Sequence, residues 1–218
     1  MLLASCDEGK ILNDASGSGE DSEGVTVRLA QPVTGAESYE GTPYSLALAA
    51  FADGNEYALK SRNIRAGEAD VELQAVDASK ASKAELCVIS SLRERIVSFG
   101  SVELDGSPVA TLEPARTDAS LTGAVETMLM ANCAQCHGGS NHAAAGLWLT
   151  DGHVNAEALN VASKKVPDLK RVQPGSHGSS VLWQVVATDL SSEWGYDHSK
   201  LLNSSSTKLL ATWIDIQD

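Results

Sequence analysis

The 218-residue chain is short of several residue types, and each shortage narrows its class. Its four cysteines are too few for a disulfide scaffold in a chain of this length. No apolar run approaches the roughly 18 residues that a membrane-spanning helix needs. Acidic residues outnumber basic residues, and the resulting net charge of -13 disfavours nucleic acid and anionic lipid as partners. A hydrophobic content of 43% predicts a globular protein with a buried core.

The start of the chain resembles the end of a bacterial lipoprotein signal. The letters LASC end at Cys6, which would be the lipidated residue and the protein's one membrane attachment. Only five residues precede Cys6, whereas a full signal has a basic start and a longer apolar stretch. The alternative is that Cys6 pairs with Cys87 or is free. Residues 7–24 are acidic and rich in Gly and Ser, so 1–24 is predicted to be a lipoprotein-like start and a flexible tether.

Residues 25–112 alternate between apolar and polar side chains in several short runs. Gly, Asp and Pro signals separate these runs, which is typical of half-buried antiparallel strands. The stretch KAELCVISSLRERIV fits either a helix or a strand, and we favour a strand. Several short strands at this spacing predict an all-β, immunoglobulin-like sandwich. Two prolines in the stretch 107–120 indicate a linker, which we place at 113–120.

A second domain is predicted over 121–218, and its first helix leads into the chain's most specific motif. Asp118 and Ser120 are both suitable N-caps, and apolar residues follow at helical spacing. The letters CAQCH then place Cys133, Cys136 and His137 at one site, because residues three and four apart are neighbours on a helix. C-x-x-C-H is the pattern of c-type haem attachment: two thiols add to the vinyl groups and the imidazole ligates the iron.

A C-x-x-C pair has two other interpretations. A thioredoxin-like redox pair needs a βαβ setting, and the pattern around Cys133 does not predict one. A structural zinc site normally needs a second ligand pair, and the sequence has neither a second C-x-x-C nor an H-x-x-x-H. Both interpretations are weaker than covalent haem.

The stretch from Cys133 to Asp218 resembles the small cytochrome c domains of planctomycete-type proteins. The segments CAQCHGG, GLWLTDG, PGSHGSSVLW and LLNSSSTKLLATWID follow that family's order. The resemblance implies an all-α haem domain with one covalently attached haem c. It departs from the family at the Met-Pro-Pro segment that supplies the distal sulfur ligand, because no methionine follows Met130.

His198 is the predicted distal ligand, since it lies in the segment GYDHSKLLNSSS that replaces Met-Pro-Pro and imidazole is the usual substitute. His142 lies too near His137 in the chain to cross the ring easily. His153 and His177 stand in Gly-flanked segments that are typical of surface loops. An iron with His137 as its one axial ligand remains the alternative.

We therefore expect a two-domain protein, with an N-terminal immunoglobulin-like sandwich and a C-terminal all-α cytochrome c-like haem domain. Its expected function is transfer of single electrons by a bis-histidine, low-potential haem, without enzymatic activity, to other redox proteins or copies of itself. Haem is attached outside the cytoplasm, so the resemblance implies an exported protein, periplasmic or on the cell surface. The alternatives are a five-coordinate haem sensor and a haem-bearing accessory of a glycan- or protein-binding module.

Overall fold

The computed structural model describes residues 24–68, 70–139 and 143–218. The predicted tether and the lipid site at Cys6 lie outside the described residues. In the described part, all the strands precede all the α-helices. The strands are β1 Val25–Leu29, β2 Tyr44–Phe51, β3 Lys60–Asn63, β4 Glu72–Val76, β5 Lys83–Ser90, β6 Arg95–Glu103 and β7 Val109–Leu112.

The strands form two sheets that share one core. The three-stranded sheet has the order β4-β1-β7, with β1 antiparallel to β4 and parallel to β7. The four-stranded sheet has the order β3-β2-β5-β6 and is antiparallel throughout. Alternate apolar side chains of both sheets, such as Val27 and Leu48, are fully buried in the same cluster. These alternating side chains pack the two sheets against each other.

The ambiguous stretch is a strand, as predicted, with a turn inside it. β5 ends at Ser90, and β6 begins at Arg95. Leu86 on one face of β5 belongs to the main core, whereas Cys87 on the other face joins a small second cluster with Phe51. Cys87 is fully buried and has no disulfide partner among the described residues.

The helices follow from residue 121 onward. The Ser120 hydroxyl caps the first of them by accepting a hydrogen bond from Gly123 N at 3.1 Å. Asn203 caps the last in the same way, accepting from Ser206 N at 2.7 Å. The α-helices are α1 Leu121–His137, α2 Val154–Ala158, α3 Val181–Ala187, α4 Ser191–Trp194 and α5 Ser204–Asp215.

The predicted fold class, an all-β domain followed by an all-α cytochrome c-like domain, is wrong. In the described residues the chain is mixed α/β, with sheets of three and four strands, five α-helices and only 30% helix. Both α1 and α5 pack on β6, and one cluster of buried side chains runs from Val25 to Ile214. Isolated β-bridges, such as that between Leu159 and Val172, interrupt the helical half. Local periodicity finds single elements, but it does not show that helices and sheets bury the same core.

Trp213 tests this shared core. Its side chain on α5 is fully buried, and its Nε1 donates to Thr122 Oγ1 of α1 at 3.1 Å. Trp213→Ala should lower the free energy of unfolding by about 3–5 kcal/mol, because it leaves a cavity and removes this hydrogen bond. Denaturant unfolding followed by circular dichroism measures the loss. Ile216→Ala is the matched control, since Ile216 is 49% exposed. Equal stability of the two variants would contradict the shared core.

Candidate functional site

The two motif cysteines and His137 lie at the C-terminal end of α1. The helix ends at His137, and Gly138 is its C-cap. Cys133 is buried, whereas Cys136 is exposed. Burial raises the pKa of the Cys133 thiol to about 11, and the charge of Cys136 contributes in the same direction. The two thiols are one helical turn apart and therefore share a face, but they differ in access to solvent.

A cavity of about 450 Å³ opens at this end of α1. Cys133, Cys136, His137 and His198 all line it. Most of the remaining wall is apolar: Ala144, Ala145, Leu147, Leu149, Leu182, Val185, Val186, Trp194 and Leu201. Its volume lies within the range of pockets that hold organic cofactors, roughly 300–1,000 Å³. The structure thus brings all four predicted site residues to one concave apolar surface.

The segment that follows the motif makes two hydrogen bonds to His137, one to its ring and one to its backbone. Its Nδ1 is 3.1 Å from the Leu147 carbonyl oxygen, and its own backbone oxygen accepts from Leu149 N at 2.8 Å. Burial lowers the pKa of His137, which favours the neutral ring. A neutral ring that donates from Nδ1 keeps the Nε2 lone pair free for a metal.

Arg171 stabilises the backbone next to Leu147, the residue whose carbonyl oxygen contacts the His137 ring. Its guanidinium donates to the Gly146 carbonyl oxygen at 2.9 Å and to the Glu157 carbonyl oxygen at 2.7 Å. The Glu157 carboxylate, 3.3 Å away, balances its charge. Arg171 is only 7% exposed, so these contacts hold a buried cation in place. Arg171 is therefore a positioning residue for the Leu147 carbonyl.

His198 begins a short 3-10 turn, His198–Lys200, that packs on α3. Its Nδ1 is 3.1 Å from the Tyr196 carbonyl oxygen, an arrangement similar to that of His137. Asp197 caps the turn by accepting from Ser199 N at 3.0 Å. Burial is the main cause that lowers the pKa of His137, its hydrogen bonds to backbone oxygens raise that pKa, and the charge of His198 lowers it further.

The other histidines are placed elsewhere. The His153 ring stacks on Trp148 with centroids 3.4 Å apart, and neither residue lines the cavity. His177 Nδ1 pairs with Asp215 Oδ2 at 2.7 Å, beside Trp183 and a separate surface groove. His142 lies outside the described residues. Of the candidate distal ligands, His198 is the one that the structure describes at the cavity.

Comparison with protein-family models, with curated proteins and with solved structures finds no match for this chain. In the described ranges, no helix is long and apolar enough to cross a membrane.

The donors at the cavity fit haem better than they fit a bare metal ion. No group of three or more His, Cys, Asp or Glu residues in the described part of the chain has the arrangement of a metal site. The donors present are two thiols one turn apart and two imidazoles, set in a wide apolar wall. Thiols for covalent attachment and imidazoles for axial ligation are the donors that haem c requires.

Sequence reasoning missed the cations at the cavity. Lys164, Lys165 and Arg171 line it, although they lie between the segments GLWLTDG and PGSHGSSVLW, on which the resemblance to cytochrome c domains rests. The Lys165 Nζ is 5.8 Å from the centroid of the Trp194 ring, at the wall of the cavity. An adjacent lysine pair in a chain of net charge -13 is the one signal that sequence could have offered.

The difference between the two motif thiols is testable in polypeptide that carries no attached group. Cys136 should react with iodoacetamide faster than Cys133, because the thiolate is the nucleophile and burial raises the pKa of Cys133 to about 11. Cys87 should react slowest, since it is fully buried. Time-resolved labelling read by peptide mass spectrometry measures the order. Equal rates for Cys133 and Cys136 would contradict the geometry.

Proposed function

We propose that this protein is a monohaem c-type cytochrome that carries single electrons outside the cytoplasm. Cys133 and Cys136 would hold the haem covalently, and His137 and His198 would be its axial ligands. The observation that carries the proposal is the convergence of these four side chains on one apolar cavity. When bound, the haem supplies an iron that gains and loses one electron.

The proximal side of the site supports this assignment through its hydrogen bonds. The Leu147 carbonyl fixes the ring orientation of His137, and the Arg171 guanidinium fixes the backbone next to that carbonyl. Such an outer contact also raises the basicity of a ligating imidazole. The chain therefore positions a neutral imidazole in advance, and the two thiols limit where a cofactor can sit relative to it.

The distal side supports electron transfer over catalysis. His198 is supplied by a turn that Asp197 caps and that packs on α3. An iron with two imidazole ligands offers no open position to a substrate. Imidazole in place of methionine also lowers the reduction potential, since Met/His ligation raises it. We therefore expect a carrier of low potential, not an enzyme.

The apolar wall of the cavity supports electron transfer because it would limit the access of water to the haem iron. Leu182, Val185 and Val186 of α3 line the same cavity as the end of α1. A hydrophobic shell around a metal controls both its reduction potential and the access of water to it. Apolar side chains rearrange little when the charge of the iron changes by one electron.

The proposal also specifies a location and partners. Because haem c is attached outside the cytoplasm, the protein would be exported to the periplasm or the cell surface, and a lipid on Cys6 would tether it there. The net charge of -13 favours basic docking surfaces on other redox proteins. Copies of the same chain are the other candidate electron partners.

Carbon monoxide tests the two-histidine site. In the reduced, haem-loaded full chain, the absorption bands should not change with carbon monoxide, because both axial positions are filled. His198→Ala should open one position and give a large band shift on adding the gas. His198→Met should keep six ligands and raise the reduction potential.

His177→Ala is the matched control, since His177 pairs with Asp215 away from the cavity. It should behave as the unmodified chain does. Carbon monoxide binding by the unmodified chain would point to a five-coordinate sensor and contradict the carrier function. An unchanged response in His198→Ala would remove His198 from the ligand set.

A further inference from the structure

The charged side chains that line the cavity are all cationic. Lys164, Lys165 and Arg171 line it, and no Asp or Glu among the described residues does. This is unexpected in a chain with 29 acidic and 16 basic residues. Cations gathered at a mostly apolar cavity predict a ligand that is apolar in its body and anionic at one edge.

Arg171 has its partners within the protein. Its guanidinium is committed to the Glu157 carboxylate and to the backbone oxygens of Gly146 and Glu157. These contacts leave it buried and locally balanced. The two lysines are therefore the cations available to an anionic ligand.

The two lysines lie at the cavity without a carboxylate partner among the described residues. The Lys164 ammonium lies against Gly146, where an added methyl group would collide with it. Lys165 reaches over the ring of Trp194. Both side chains are exposed, so water can solvate them until a ligand arrives.

Backbone hydrogen bonds and a β-bridge stabilise the loop that carries the two lysines. Ser163 N donates to the Leu169 carbonyl oxygen at 2.9 Å, and the Ser163 hydroxyl accepts from Val166 N at 3.3 Å. A β-bridge between Ala162 and Lys170 closes the same loop. The lysines thus project from a pinned loop whose position relative to the cavity is set before a ligand binds.

We propose that Lys164 and Lys165 bind the two propionate carboxylates of the haem. This inference rests on the proposed function, because it assigns the orientation of the same cofactor: thioethers at α1 and propionates at the 162–170 loop. The ammonium groups would favour the ionised carboxylates and offset their charge near the iron. The reduction potential would therefore be higher than the two imidazoles alone would set it.

Lysine variants of the haem-loaded full chain test the assignment. Lys164→Gln, Lys165→Gln and the double variant should each shift the midpoint potential to more negative values, with the double variant shifting furthest. The pH at which the potential begins to depend on protonation should also rise, because a carboxylate without its cation protonates more readily. Redox titrations over a range of pH measure both quantities.

Lys208→Gln is the control for loss of one positive charge, because Lys208 is an exposed residue of α5 that does not line the cavity. Its shift should be several-fold smaller. The Lys164→Arg/Lys165→Arg variant should restore the unmodified potential. Cavity variants that shift no more than Lys208→Gln, in a protein that does carry haem, would overturn the inference and leave the proposed function standing. A preparation with no haem spectrum would overturn the proposed function itself.

Discussion

The hydrogen bond between His137 Nδ1 and the Leu147 carbonyl oxygen is the contact on which the site depends. It joins the last residue of α1 to the segment that follows the motif, and the Leu149 amide strengthens the join by donating back to the His137 carbonyl oxygen. Without this contact, the imidazole would have neither a fixed tautomer nor a fixed direction. Arg171 stabilises the join in turn by holding the Gly146 carbonyl oxygen.

The shared core sets the position of α1, the helix whose last residue makes this contact. α1 packs on α5 and on β6, so its position is set by both the helices and the sheet. Trp213 illustrates the coupling, because it is buried between the helices while its indole donates to Thr122. A site at the end of an element buried in this way is held more precisely in space than a site on loops alone.

The sequence predicted the features that depend on neighbouring residues, and it did not predict those that depend on contacts between residues far apart in the chain. Local signals identified most of the strands, Asp118 and Ser120 as candidate caps, and the motif at the end of α1, since each depends on neighbours in the chain. The choice of His198 rested on the missing methionine and on the segment in its place. The fold class was wrong because the packing of α1 and α5 on β6 joins residues far apart in sequence. Arg171 and the lysine pair were missed for the same reason, as only folding brings them to the cavity.

The most direct test of the account is the intact mass of the full chain, produced with haem-attachment machinery and measured after denaturation. We expect one haem per chain, retained without native structure because thioether bonds hold it, and lost in Cys133→Ala/Cys136→Ala. Cys87→Ala should keep the haem, since Cys87 lies in the sheet and not at the cavity. The mass of the bare polypeptide from the unmodified chain would contradict the account at its centre.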